Sequence, residues 1–329
     1  MKSASALIVG TGSALPSKVI TNQDLEKIVD TSDEWITQRT GIKERRIVAP
    51  GESNSGLAVK ASRLALERAQ IAPEELDLII VATLTPDYLM PSVAVLVQKE
   101  LGAHKAGAFD LSATCSGFIY ALTIADKFIR TDPQLKILVI GSEVLSNKVN
   151  WQDRTTCVLF GDGAGAVVVT GSKEPNRGFI SGHLYADGNL WHLLTLKGCG
   201  SLYPPCGDHL PPEEYYIRMQ GREVFKNAVR AMEAVALEAL QTNGLTPEDV
   251  DLLVPHQANM RIIEHLRERL ALPLEKVYVN LQKYGNTSAA SIPIALDEAV
   301  TTGKLRPGDL VLMIAFGGGF TWASALIRW

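Results

Sequence analysis

The chain has few cysteines, no excess of positive charge and no long apolar run. Its four cysteines, Cys115, Cys157, Cys199 and Cys206, are too few in 329 residues to form a disulfide framework. A net charge of −4 provides no broad basic field for a nucleic acid. Apolar runs such as 78–82 fall far short of the roughly 18 residues that a membrane helix needs, and the start of the chain is not apolar enough for a signal peptide. These absences predict a cytoplasmic protein that binds neither nucleic acid nor membrane.

An internal repeat indicates how the chain is organised. IAPEELDLIIVA (71–82) and LTPEDVDLLVPH (245–256) match at a spacing of 174 positions (247 − 73). Four other segments match within a few residues of that spacing: 5–10 with 177–182, 56–70 with 222–242, the helix after Cys115 with 286–300, and 136–141 with 309–315. Five matches in order indicate the duplication of one α/β unit with apolar, parallel central strands. We therefore divide the chain into halves 1–174 and 175–329, joined by the polar connector 171–177.

Two other segments have a predicted structure. The pattern from Asn22 to Gln38 predicts a helical segment. The stretch from Asn189 to Pro212 is rich in glycine and proline, which predicts a loop that covers a surface and does not build the core.

Cys115 lies in LSATCSGFIYA (111–121), between a short apolar strand (107–111) and apolar residues at helical spacing. A helix start presents unpaired N–H groups and a positive dipole end, which favour a thiolate. A lowered pKa makes a cysteine nucleophilic. The alternative reading is a small buried hydrophobe.

Three features of the second half complete a candidate site. His256, in PHQAN, follows an apolar strand, although a lone histidine is more often an ordinary core or surface residue. Asn286, in YGNTSAAS, opens the helix that mirrors the Cys115 helix, where it could also be a simple N-cap. FGGGF (316–320) allows close backbone approach and an oxyanion hole, the alternative being a flexible turn.

Together, SATCSGF, PHQAN, GNTSAAS and FGGGFTW resemble the thiolase-fold condensing enzymes, and specifically the β-ketoacyl-acyl-carrier-protein synthase III family. The resemblance runs from IVGTGSALP through DTSDEWITQRTGIKERR and FGDGAGA to the C-terminal motif. It implies an αβαβα layered α/β fold and a homodimer. It also implies a catalytic triad of Cys115, His256 and Asn286, with an oxyanion hole made by the backbone N–H groups of Cys115 and Gly318.

The resemblance further implies a reaction. An acyl-CoA, acetyl-CoA or another short acyl-CoA, would acylate Cys115, and malonyl-acyl-carrier protein would then undergo a decarboxylating Claisen condensation that initiates fatty-acid synthesis. No cofactor is expected beyond the CoA thioester substrate. The alternatives are a secondary-metabolism acyltransferase or condensing enzyme of the same fold, and a noncatalytic scaffold.

Several residues are candidates for contacting CoA. Trp35 and Arg39 are spaced i,i+4 in DEWITQR, and Arg154 lies in WQDRTT. By resemblance, Trp35 and Arg154 stack on the adenine and Arg39 lies near the phosphates. The alternative is a half-buried tryptophan packed by arginine stems.

Carrier-protein docking is assigned to Arg222, Lys226 and Arg261. Arg222 and Lys226 belong to a basic helix stripe, and the alternative to docking is a solvated face. Met90, in YLMPS, matches the position from which the family's second subunit closes the acyl pocket. Methionine is flexible, so we expect a pocket more tolerant than one for acetyl alone.

Two further motifs are rejected as sites. GDGAGA (161–166) resembles a dinucleotide fingerprint but is followed by a strand sequence, where that fingerprint needs a helix. Cys199, Cys206, His192 and His209 lack the spacing of the common structural zinc sites, so we predict no metal.

Overall fold

The computed structural model describes residues 4–172, 174, 176–204 and 210–329. Its strands are β1 (Ala6–Ala14), β2 (Lys18–Thr21), β3 (Glu44–Ile47), β4 (Leu78–Ala82), β5 (Gly107–Leu111), β6 (Ile137–Glu143), β7 (Gly163–Gly171), β8 (Gly178–Ala186), β9 (Leu194–Thr195), β10 (Arg218–Met219), β11 (Leu252–Pro255), β12 (Leu310–Gly317) and β13 (Thr321–Arg328). Its α-helices are α1 (Asn22–Glu26), α2 (Asp33–Thr40), α3 (Asn54–Ala69), α4 (Val93–Leu101), α5 (Gly117–Thr131), α6 (Gly221–Thr242), α7 (Met260–Arg269), α8 (Leu281–Tyr284) and α9 (Ser291–Thr301).

Two mixed sheets form the frame of the molecule. The first has the strand order β1-β7-β6-β4-β5, and the second has the order β8-β13-β12-β11. β4 is parallel to β5 and β6, and β11 is parallel to β12. β7 and β13 are antiparallel to both of their neighbours. The prediction of parallel central strands is therefore correct for β4, β5 and β6 and for the pair β11 and β12, but wrong for β7 and β13. The turn between β12 and β13 is too short for the crossover that a parallel pair requires.

Alternating apolar side chains hold five layers together. In β6, Val139 packs with α5 and α9, whereas its neighbour Leu138 packs with α3 and α4. In β12, Met313 packs with α5 and α9, whereas Leu312 packs with α6 and α7. The layers thus follow the order α3/α4, first sheet, α5/α9, second sheet, α6/α7. This arrangement confirms the predicted αβαβα fold.

The two halves repeat each other down to single backbone angles. Short 3₁₀ turns precede α5 and α9, at Thr114–Ser116 and Ser288–Ala290. Each turn opens on a residue with positive φ, 47° at Thr114 and 49° at Ser288, and these residues are 174 positions apart (288 − 114). β7 ends at Gly171 and β8 begins at Gly178. The boundary at 174 stays a prediction, since Lys173 and Pro175 lie outside the described residues.

Two local predictions need correction. The segment from Asn22 to Gln38 forms two helices, because the Ser32 hydroxyl accepts the Trp35 N–H at 3.1 Å and starts a second helix there. The segment from Asn189 to Pro212 is not only a surface cover. Its residue Leu193 is buried, and β9, within it, pairs with β10.

None of the helices among the described residues is both long enough and apolar enough to span a membrane.

Candidate active site

Cys115 lies in the 3₁₀ turn that joins β5 to α5, two residues before the helix begins. Three hydrogen bonds fasten this turn to the glycine-rich turn between β12 and β13. The Thr114 hydroxyl donates to Gly318 O at 3.0 Å, the Ser116 hydroxyl to Thr321 O at 3.1 Å, and the Thr321 hydroxyl to Ala113 O at 2.9 Å. The position of the sulfur therefore depends on the C-terminal hairpin as well as on α5.

The glycine run brings the end of β12 against the Cys115 turn. A Cβ placed on Gly317 would lie 2.2 Å from Thr114 Oγ1 and 2.7 Å from the backbone nitrogen of Cys115. A Cβ on Gly318 would only meet Leu194, at 3.3 Å. The sequence indicated a close approach within this run, and the structure assigns that approach to Gly317.

His256 follows β11 and is 3% exposed. Its backbone N–H donates to Ile314 O at 2.7 Å, and its ring Nδ1 lies 2.7 Å from Ser291 Oγ. Ser291 Oγ also accepts the Gln257 N–H at 3.4 Å. When the Ser291 hydroxyl donates its own proton to Nδ1, the ring proton lies on Nε2. Burial lowers the pKa of His256 to about 3, so the ring is neutral near pH 7.

Asn286 lies in an extended segment that bridges Phe160. Its backbone N–H donates to Leu159 O at 2.8 Å, and its carbonyl accepts the Gly161 N–H at 3.0 Å. Its side-chain Oδ1 accepts the Ser288 N–H at 2.8 Å, so the amide nitrogen is the end left for a ligand. The prediction that Asn286 opens the helix is wrong.

The duplication pairs Cys115 with a different residue of the second half. At the repeat spacing of 174, the counterpart of Cys115 is Ala289 (289 − 115), in the matching 3₁₀ turn. Asn286 precedes that turn by two residues.

One cavity of about 800 Å³ joins these groups. Cys115, His256, Asn286 and Gly318 all line it. Apolar side chains supply most of the remaining wall, among them Leu84, Leu145, Val158, Phe160, Leu194, Ile217, Met219, Phe225, Met232 and Phe316. The cavity therefore holds a thiol, a neutral imidazole and a primary amide in a mainly apolar space, which suits acyl transfer.

The resting state of Cys115 differs from the sequence-based expectation. Burial raises the pKa of its thiol to about 12, contact with Ser288 lowers it, and the carboxylate of Glu143 raises it further. The helix start does not outweigh burial, so the group at rest is a thiol and not a thiolate. Sequence reasoning did not identify Glu143 or Ser288 as neighbours of Cys115. The only sequence feature that points to them is that Glu143 is an acidic residue at the end of an apolar strand.

The three candidate CoA residues cluster at one place. Arg39 lies 5.6 Å from the centre of the Trp35 ring, and Arg154 lies 5.3 Å from it. Trp35 and Arg39 line the cavity that holds Cys115, whereas at the position of Arg154 it is the neighbouring residue Thr155 that lines it. The Arg154 guanidinium donates to Asp30 O at 2.9 Å. CoA binding by these residues stays a prediction.

The candidate docking residues surround the cavity. Arg222 and Arg261 line it, and Arg261 lies 5.6 Å from the centre of the Phe225 ring. Lys226 is exposed one helix turn beyond Arg222. Carrier-protein docking at this surface stays a prediction.

Met90 does not line the cavity of its own chain. It is 86% exposed, beside Leu89 at 84% and Tyr88 at 60%. A role in the acyl pocket therefore requires a second chain, as the resemblance implied, and stays a prediction.

The rejected motifs have the following outcomes. β7 begins within GDGAGA, so the strand expected after this motif is confirmed. The absence of a nucleotide site there stays a prediction. No three His, Cys, Asp or Glu side chains gather as a metal site among the described residues. Cys206 and His209 lie outside those residues, so the absence of metal there stays a prediction.

Comparisons with known proteins give a consistent result. The family model for 3-oxoacyl-[acyl-carrier-protein] synthase III matches residues 109–188, and the model for its C-terminal part matches 240–329. A β-ketoacyl-[acyl-carrier-protein] synthase III from Caldanaerobacter subterraneus subsp. tengcongensis is 56% identical over 322 residues, which are 98% of this chain and 97% of the relative.

Solved structures agree with this match. The crystal structure of 3-oxoacyl-[acyl-carrier-protein] synthase III from Aquifex aeolicus VF5 is 56% identical, with a TM-score of 0.92 that covers 98% of this chain and 100% of that chain. The priming β-ketosynthase of the R1128 polyketide pathway is 38% identical, with a TM-score of 0.91 that covers 98% of this chain and 96% of that chain.

Proposed function

The chain belongs to the β-ketoacyl-[acyl-carrier-protein] synthase III family of acyltransferases, which initiate fatty-acid synthesis, and we propose that it does so through a covalent acyl intermediate on Cys115. In this reaction an acyl-CoA condenses with malonyl-acyl-carrier protein and CO₂ is released. The observation that supports this assignment of residues is the meeting of Cys115, His256, Asn286 and Gly318 on one cavity.

In the first step, the sulfur of Cys115 attacks the thioester carbonyl and CoA leaves. The backbone N–H groups of Cys115 and Gly318 stabilise the negative oxygen that forms on that carbonyl. Both groups belong to the two turns that the Thr114 hydroxyl joins. Because the fold holds these donors in place beforehand, they need no reorganisation as charge develops.

In the second step, malonyl-carrier protein loses CO₂ and its thioester becomes an enolate. His256 Nε2 and the Asn286 amide nitrogen donate hydrogen bonds to the enolate oxygen. Both are neutral donors, since burial lowers the pKa of His256 to about 3. Preorganised donors of this kind contribute about 3 kcal/mol each to the transition state. The enolate carbon then attacks the acyl group on Cys115.

The substrates enter from the arginine-rich end of the cavity. Trp35, between Arg39 and Arg154, offers a flat surface with two cations for the adenine and phosphates of CoA. Arg222, Lys226 and Arg261 offer a positive rim for an acidic carrier protein. The proposed reaction uses no metal and no cofactor other than the CoA thioester, because the donors and the nucleophile all come from the chain.

We also propose a cytoplasmic homodimer. Cys115, Cys157 and Cys199 are free, and a reducing compartment keeps thiols from forming disulfides. The exposed segment at Leu89 and Met90 offers apolar surface to a second copy, whose acyl pocket Met90 would close.

Mass spectrometry after treatment with acetyl-CoA tests the proposal. We expect one acetyl adduct on Cys115, absent in Cys115→Ala and retained in Cys157→Ala, which removes another buried cysteine. Addition of malonyl-acyl-carrier protein should then release CO₂ and give a β-ketoacyl-carrier protein. An adduct elsewhere, or none, would contradict the assignment. Acetyl transfer without CO₂ would instead favour a plain acyltransferase of the same fold.

A further inference from the structure

One residue of the PHQAN motif, Gln257, has no part in the steps described above. It is 1% exposed and follows His256 directly. The residues that line the cavity include His256, Ala258 and Asn259 but not Gln257. Gln257 therefore touches no substrate, and its buried amide needs partners within the protein for each of its polar atoms.

The donor end of the Gln257 amide joins two backbone segments. Nε2 donates to Pro255 O at 2.8 Å and to Tyr278 O at 3.1 Å. The segment that contains Tyr278 already runs beside β11, since the Tyr278 N–H donates to Leu253 O at 2.9 Å. The Gln257 amide thus continues this pairing past the end of β11.

The acceptor end of the amide holds the start of α8, the short helix before Asn286. Gln257 Oε1 accepts the Asn280 N–H at 3.0 Å and the Leu281 N–H at 3.3 Å. A helix start leaves N–H groups without a partner inside the helix. The Asn280 side chain does not cap α8, because it donates to Glu298 Oε2 at 2.8 Å. Gln257 therefore supplies the cap of a helix that ends two residues before Asn286.

The two segments that carry the enolate donors are joined through two residues. Among the residues that the structure describes, every hydrogen bond between 255–259 and 278–291 involves Gln257 or Ser291. Ser291 Oγ lies 2.7 Å from His256 Nδ1 and accepts the Gln257 N–H at 3.4 Å. The remaining bonds between the segments belong to the Gln257 side chain.

We propose that Gln257 is a positioning residue for decarboxylation, whose side-chain amide sets the separation between His256 Nε2 and the Asn286 amide nitrogen. This inference rests on the proposed function, in which both atoms donate to one enolate oxygen. Donors held in place beforehand need no rearrangement as charge develops. The backbone bonds of Asn286 run to Leu159 and Gly161 in the first half of the chain, so they do not fix this separation.

Two variants of Gln257 remove different parts of the link. Gln257→Met keeps the length of the side chain and removes all four hydrogen bonds of the amide. Gln257→Glu keeps the shape and the two bonds to the start of α8, but places an oxygen opposite Pro255 O and Tyr278 O. That oxygen donates no bond as a carboxylate and one as a carboxylic acid, so at least one of the two donor bonds is lost in either state.

The matched control is Gln98→Met, on α4. Gln98 Nε2 also donates to a backbone carbonyl, Ala103 O at 3.0 Å, and Gln98 does not line the cavity. This variant should match the wild type in both of the rates described next.

Acetylation of Cys115 by acetyl-CoA and release of CO₂ from malonyl-acyl-carrier protein are measured separately. We expect both Gln257 variants to keep the wild-type acetylation rate, because acetylation uses the sulfur and the backbone donors. CO₂ release should fall by at least about 10-fold in Gln257→Met, and by less in Gln257→Glu, because misplaced catalytic groups lose rate steeply. The loss should lie in kcat, with the KM for malonyl-carrier protein unchanged.

A double variant distinguishes positioning from a general loss of stability. If Gln257 acts by spacing two donors, its removal should matter little once one donor is gone. Gln257→Met should therefore slow CO₂ release by less than about 3-fold in an Asn286→Ala background, although it slows the enzyme with Asn286 by at least about 10-fold. Two losses that multiply in full would reject the spacing role.

Other outcomes also overturn the proposal. Equal losses of acetylation and CO₂ release in both Gln257 variants would show that Gln257 serves the fold as a whole. Failure of both variants to fold would show the same, since Gln257→Glu keeps the shape and two of the bonds. CO₂ release at the wild-type rate by Gln257→Met would show that the separation does not depend on Gln257. Absence of acetylation in the wild type would instead contradict the proposed function of Cys115.

Discussion

His256 and Asn286 each make a hydrogen bond within the protein through one polar atom of the side chain and leave the other polar atom for a ligand in the cavity. The Ser291 hydroxyl holds Nδ1 of the imidazole, and the Ser288 N–H holds Oδ1 of the amide. Each partner fixes the orientation of a donor toward the space that Cys115 lines. Hydrogen-bond donors fixed in this way act on developing charge without rearrangement.

We expect His256→Ala and Asn286→Ala to acetylate Cys115 but to lose decarboxylation of malonyl-carrier protein. Acetylation needs the sulfur and the backbone donors, whereas decarboxylation needs donors to the enolate. The loss should be about 10²-fold or more for each variant. Rates of adduct formation and of CO₂ release, measured separately, check this, with His183→Ala as the control for loss of a histidine outside the cavity. Normal CO₂ release by both variants would refute their role.

Sequence reasoning found these residues but not the state of the nucleophile. PHQAN and GNTSAAS identify His256 and Asn286 by residue type and order. The pKa of Cys115 depends on burial and on the contact with Ser288, 173 positions away (288 − 115). Glu143 is 58 positions from its hydroxyl partner Thr85 (143 − 85). Contacts between side chains so far apart follow from packing, which no local pattern displays.

The two 3₁₀ turns are the elements that build the site. Each one sits between a strand and a central helix, and each begins at a residue with positive φ. Thr114 and Ser288 are β-branched or polar residues that rarely adopt this conformation. The periodicity that predicted helices after both turns was correct, because α5 and α9 bury apolar faces. The sequence placed Cys115 at a strand-to-helix turn, but the 3₁₀ form of the two turns has no periodicity and was not predicted.

We expect Gly317→Ala to disable acetylation of Cys115. The added Cβ would meet Thr114 Oγ1 at 2.2 Å and the Cys115 nitrogen at 2.7 Å, so the turn that carries the nucleophile must shift. Misplacement of this size costs about 10²-fold in rate. The acetylation rate measures the effect, and circular dichroism confirms that the variant is folded.

Gly188→Ala is the matched control for this substitution, because nothing lies within 4 Å of a Cβ at that position. A Gly317→Ala enzyme as fast as Gly188→Ala would show that the close approach of β12 is dispensable.

At the scale of the whole molecule, the duplication explains why the layered fold was predictable. The repeat of 174 residues predicts two similar units. The strands are apolar on both faces, which predicts that helices cover both faces of each sheet. The strand directions of β7 and β13 were not predictable, since a buried apolar run looks the same in either direction. The cavity depends on how the two halves pack, and only motifs drawn from both halves, such as SATCSGF and PHQAN, indicated that they share one site.

The exposed segment before α4 provides a test of assembly. Leu89 is 84% exposed and Met90 86%, and among the described residues β5 pairs with β4 alone and forms an edge of the first sheet. Apolar residues beside an open sheet edge are suited to contact a second copy. We expect the wild type to sediment as a dimer at micromolar concentration and Leu89→Asp to sediment as a monomer, because burial of one leucine contributes about 1.5–3 kcal/mol in each protomer.

Leu274→Asp is the matched control, since Leu274 is also an exposed leucine, at 68%. It should sediment like the wild type and acetylate Cys115 at the same rate. If Met90 of the second copy closes the acyl pocket, Leu89→Asp should also acetylate more slowly, and the defect should diminish as protein concentration rises and the dimer reforms. A wild type that sediments as a monomer at every concentration, with full activity, would reject both the dimer and the role of Met90.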